Sequence, residues 1–186
     1  MAWTGEFGES ERWLRRAGAA LRTDTGPGIT LLLHLATGTL HAGRGRQREA
    51  LEEFGAAERL RSQLEGSHAL ASQVTGWMLA TQARLGMAGE ARAFLAALDG
   101  DQASHGESRN AYAVICLAEG DPAAALRAVK DVLDGTAPVI GYVTVVEAHL
   151  LAGLAYRELG DQRMANQATE RALRSPRRTG WSCRSR

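Results

Sequence analysis

A chain of 186 residues, 45% apolar and 23% charged with a formal net charge of +1, has the composition of an ordinary soluble protein and the length of one domain with a continuous core. Two cysteines, Cys116 and Cys183, are too few for a disulfide framework. Gly135, Gly141 and Glu147 cut the most apolar stretch well short of the ~20 residues a membrane span needs, and no basic-then-apolar leader follows Met1, so the expected compartment is the cytoplasm.

From the N-terminus, the pattern predicts a single helix near 8–22. Helix pairs follow at 28–43 with 46–64, 67–85 with 88–99, 104–119 with 121–134, and 139–159 with 161–174. Abundant alanine and only four prolines favour helix, since proline costs about 3 kcal/mol in a helix interior. Asp121-Pro122 is a start signal, with a carboxylate to cap free amides and proline in the first helical position, and Asp161 repeats the cap. The run from Gly100 to Ser108 is dense in turn formers, and a loop could replace the first helical turn there. Nine helices are expected, the first without its partner, so the chain should begin within a repeat.

Five times a glycine is followed five residues later by a small residue: Gly5 and Ser10, Gly45 and Ala50, Gly86 and Ala91, Gly120 and Ala125, Gly160 and Ala165. The glycines recur at intervals of 40, 41, 34 and 40 residues, and a period of that size marks stacked repeats. A glycine can take the left-handed conformation that stops a helix, and the small residue lets the next helix approach its partner closely. Nine residues after each glycine stand Leu14, Phe54, Leu95, Val129 and Thr169; twelve after stand Ala17, Ala57, Leu98, Val132 and Ala172. These offsets share one helix face, with Thr169 the misfit. The expected fold is an all-α solenoid of antiparallel helix pairs over 1–173, followed by an Arg-rich tail, 174–186.

The glycine, the small residue at +5, the large one at +9 and the apolar one at +12 resemble the second helix of tetratricopeptide repeats. Three stretches widen the likeness: Gly43 to Phe54, Ala118 to Leu126 with Val132 to Val139, and Glu158 to Ala165. Together they resemble the repeat region of the large ATP-binding LuxR-type regulators, the MalT-like group, over about 3–173. In that family an ATPase precedes the superhelix and a helix-turn-helix follows it. The resemblance implies a repeat region that senses an inducer or partner and controls self-association.

The departures limit what carries over. A Walker loop needs a lysine after its second glycine, and the sole lysine, Lys130, follows Val129. The run Gly43-Arg-Gly45-Arg-Gln-Arg48 has arginine where a dinucleotide fingerprint needs its third glycine. Thirteen residues after Leu173 are too few for a helix-turn-helix. Those thirteen carry five arginines and no acid. They read either as a basic arm for an acidic surface or as an out-of-frame end: the codons of Arg178 to Arg184, read one base upstream, can encode Pro-Asp-Gly-Leu-Val-Leu-Pro. With the tail set aside, the body has 17 basic against 21 acidic residues and no concentrated basic face, so specific duplex binding by this chain is not expected.

Catalytic patterns are missing as well. His34, His41, His68, His105 and His149 include no i, i+4 pair and lack metal-site spacing. Cys116 sits on an apolar helix face, where a thiol is inert, no Gly-x-Ser-x-Gly elbow occurs, and Trp13 and Trp77 sit at core spacing. The chain therefore reads as a non-enzyme without cofactor or metal.

Stacked repeats place a binding surface on the concave side. In tetratricopeptide-like geometry the groove positions lie about 13, 10, 6 and 3 residues before the repeat glycine. Counting back gives the polar candidates Gln73, Glu107, Asn110, Glu147 and Arg157 among apolar Val114, Leu117, Leu150 and Leu154. Two functions stay open. One is an interaction or inducer-sensing module of a LuxR-type regulator, as a fragment or truncated form. The other is a stand-alone scaffold that pairs with other repeat proteins without a small ligand.

Overall fold

The computed structural model describes residues 7–21, 26–61 and 70–174. Gly5, His68, Cys183 and the tail from 175 on lie outside the described residues. Among the described residues there are ten helices and no strand: α1 (Phe7–Ala20), α2 (Pro27–Gly43), α3 (Gln47–Arg61), α4 (Ala71–Arg84), α5 (Ala88–Ala96), α6 (Gly100–Ser104), α7 (Gly106–Ala118), α8 (Pro122–Leu133), α9 (Tyr142–Glu158) and α10 (Gln162–Leu173). Four expected pairs are present, as α2 with α3, α4 with α5, α7 with α8 and α9 with α10. The tenth helix is the single turn α6, in the stretch dense in turn formers. It forms because the Asp99 carboxylate accepts a hydrogen bond from the Gln102 amide at 2.7 Å and so caps it.

One device ends the first helix of every pair. Gly45, Gly86, Gly120 and Gly160 have φ of +75°, +84°, +78° and +80°. In each case the amide after the glycine reaches back to a carbonyl five residues earlier: Arg46 to His41, Met87 to Gln82, Asp121 to Cys116 and Asp161 to Tyr156, at 2.9–3.0 Å. The glycine's own amide bonds the carbonyl three before it, which completes a Schellman turn. The chain then re-enters helix at once. Asp121 accepts from the Ala124 amide at 2.8 Å and Asp161 from the Met164 amide at 2.9 Å.

The small residues five positions on, Ser10, Ala50, Ala91, Ala125 and Ala165, are all buried. Phe54 and Val129 at the +9 position are fully buried, and so are Ala57 and Val132 at +12. Thr169, the misfit at this position, is exposed. Its hydroxyl donates to the Ala165 carbonyl at 2.9 Å, and a Cβ on Gly153 of α9 would stand 3.0 Å from the Thr169 hydroxyl oxygen. Leu14 is only half-buried and Trp13 is 52% exposed, under the Arg16 guanidinium at 4.8 Å. Among the described residues α1 packs against α2.

The core runs as a seam through the stack: Leu31 of α2, Phe54 of α3, Val74 and Leu79 of α4, Ile115 of α7 and Val129 of α8 have almost no exposure. Between α4 and α7 the approach is closer than any side chain allows. A Cβ on Gly76 would lie 2.7 Å from the Glu107 carbonyl oxygen.

Candidate functional site

The candidate groove residues divide into two groups. Glu107 and Asn110 are 3% and 1% exposed, which corrects their expected place on the open concave surface. They tie α7 to α9 and the turn before it. Glu107 Oε1 accepts from the Thr144 hydroxyl at 2.6 Å and the Ile140 amide at 2.9 Å, and Asn110 Nδ2 donates to the Thr144 carbonyl at 2.8 Å and to Glu147 Oε2 at 3.3 Å. The physical reason lies in the register. Gly76, 10 before its glycine, and Glu107 and Asn110, 13 and 10 before theirs, meet the next first-of-pair helix, and Ala80 and Val114, 6 before, are buried as well. Gln73 on α4 is half-buried, and Arg157 on α9 is exposed.

Glu147 lines a cavity. It forms an ion pair with Arg84 of α4 at 3.5 Å, and the two close one side of a space of about 340 Å³ lined further by Thr39 of α2, Gln47 and Phe54 of α3, and Trp77 and Thr81 of α4. The Trp77 and Phe54 rings sit 5.9 Å apart, tilted by 55°. Gln47 Oε1 is buried without a hydrogen-bond partner. The volume lies at the lower end of ligand pockets. Arg84 escaped the sequence reading because it stands two residues before Gly86, outside the counted offsets, and Trp77 because half of it does pack on the core.

A second depression of about 440 Å³ lies between α5 and α7, lined by Arg92, Ser104, Ser108, Arg109 and Tyr112 among others. Arg92 is committed there: it pairs with Glu119 and stacks over Tyr112 at 5.3 Å, and these contacts raise its pKa further. Beside it Cys116 is 1% exposed, and burial pushes its thiol up, so the thiolate is disfavoured. Among the described residues no group of three or more His, Cys, Asp or Glu could hold a metal ion. No helix there is long and apolar enough to cross a membrane.

No family model matches the chain, and no curated protein matches it. Among solved structures it is similar to the crystal structure of BtubC (BKLC) from P. vanneervenii, at 18% identity and a TM-score of 0.49, over 95% of this chain and 80% of that one. So distant a likeness carries no argument about function.

Proposed function

We propose that this chain is a non-catalytic repeat module that binds a protein partner or senses a small-molecule inducer. In this reading it acts in the cytoplasm as a part of, or a relative of, the repeat region of the MalT-like LuxR-type transcriptional regulators. The observation that supports the reading is the unbroken repeat register: four left-handed glycines, each followed five residues later by a buried alanine. The register stacks α4, α7 and α9 side by side, with the Arg84–Glu147 cavity beside them, and extended stacked surfaces of this kind serve as binding surfaces.

Sequencing the DNA on both sides of the gene tests the regulator part of the proposal. Coding for a Walker loop on one side and a helix-turn-helix on the other is expected, and flanks with neither would overturn it. The purified chain should neither bind nor hydrolyse ATP. Sequence-selective binding of duplex DNA at physiological salt would contradict the assignment of DNA reading to a separate domain.

A further inference from the structure

α9 differs from α4 and α7, the two first-of-pair helices stacked before it. In α4 the residues 10, 6 and 3 before the glycine, Gly76, Ala80 and Ala83, are buried; in α7 those 13, 10 and 6 before it, Glu107, Asn110 and Val114, are buried too. In α9 the four positions hold Glu147, Leu150, Leu154 and Arg157, with Leu150 43% and Leu154 39% exposed and Arg157 exposed. With half-buried Val143 ahead of them, they follow one another at spacings of 4, 3, 4 and 3 residues. That is the a/d spacing along which two helices pack. The stripe has leucines in its middle and opposite charges at its ends.

We propose that this stripe is a homodimer interface, in which α9 of one copy packs antiparallel on α9 of a second copy about a twofold axis near residue 152. In an antiparallel pair the seam positions meet in reverse order. Leu150 then faces Leu154 of the second copy, and Glu147 faces Arg157 of the second copy. Each contact occurs twice, as a twofold interface requires. A parallel pair in register would instead set Glu147 against Glu147 and Arg157 against Arg157, which like-charge repulsion disfavours. Glu147 can accept the extra partner, because its contacts within the chain, Arg84 at 3.5 Å and Asn110 at 3.3 Å, are both long. The interface continues the seam already used inside the stack: the face that packs α4 on α7 and α7 on α9 packs α9 on its copy. The inference rests on the reading of the chain as an interaction module and names its partner as a second copy.

Sedimentation velocity on the full chain, from micromolar to submillimolar concentration, should show a reversible monomer–dimer equilibrium. Leu154→Asp and Arg157→Glu, both at exposed positions, should each raise the dissociation constant about tenfold or more with an unchanged circular dichroism spectrum. Glu147→Arg should weaken the homodimer likewise. Mixing the Glu147→Arg chain with the Arg157→Glu chain should restore a tight heterodimer, because both charged contacts then pair opposite signs. A wild-type chain that stays monomeric throughout, a dimer indifferent to Leu154→Asp, or a mixture no tighter than its components would overturn the proposal. A monomer that binds a different protein through its repeats would overturn the homodimer alone and leave the interaction-module reading standing.

Discussion

Gly76→Ala is the sharpest probe of the stack. Gly76 lies inside α4, where alanine is normally worth about 1 kcal/mol over glycine, so propensity alone predicts a more stable protein. The tertiary structure predicts the reverse. The new methyl carbon would meet the Glu107 carbonyl oxygen at 2.7 Å and its carbonyl carbon at 2.8 Å, and a helix backbone cannot rotate away as a side chain can. α7 must move. Glu107 carries the bonds to Ile140 and Thr144, so the displacement reaches the turn before α9. Overpacking of this kind costs about 1–3 kcal/mol, which leaves a net loss of up to about 2 kcal/mol after the propensity gain. Gly55→Ala in α3 supplies the control, since its Cβ would meet only the tip of Arg59 at 3.6 Å. It should gain up to about 1 kcal/mol, so the two variants should differ by about 1–3 kcal/mol, or roughly 2–12 °C in melting temperature at 2–4 °C per kcal/mol. Urea or thermal unfolding measures the gap. A Gly76→Ala protein as stable as Gly55→Ala would refute the close approach of α4 and α7.

Three further outcomes follow from the packing. Ala125→Trp and Ala165→Trp, at positions 1% and 5% exposed, should each destabilise by about 1–3 kcal/mol, and two unchanged melting curves would show the repeat register to be wrong. Gly120→Ala has open space around the added methyl but sits at φ +78°, so its loss of about 1–2 kcal/mol should come from backbone strain alone, and Asn at the same position should recover part of it. Burial, and then the charge of Arg171, hold the imidazole of His149 below its ordinary pKa of 6.5. The unfolded chain therefore takes up that proton first, and the stability His149 contributes is present above pH 6.5 and lost as the pH falls below it. His149→Gln should flatten that part of a stability–pH curve, and an unaltered slope would remove His149 as its source.

Local chemistry was legible in the sequence. The repeat glycines announced left-handed helix ends, the residues at +5 announced close contacts, and Asp121 and Asp161 announced caps, because each effect acts within six residues of chain. The stretch after Asp99 was read less well: its turn formers obscured a cap, and the single turn α6 forms on it. The faces of the first-of-pair helices were a different matter. A helical period says which residues share a stripe, but two neighbouring stripes on one helix have the same spacing. Which stripe meets solvent and which meets the next repeat depends on how successive helices are set against one another.

That setting assigned Asn110 and Val114 to the interior and left Leu150 and Leu154, at equivalent positions, open. It also brought Arg84 to Glu147 across 63 residues of sequence. The sequence by itself determined an all-helical chain of stacked pairs with defined turns, because those features are written in short-range backbone and side-chain preferences. Only the tertiary structure decided which polar groups are spent on holding repeats together and which stay at the surface, because that choice is made by distances between residues far apart in the chain.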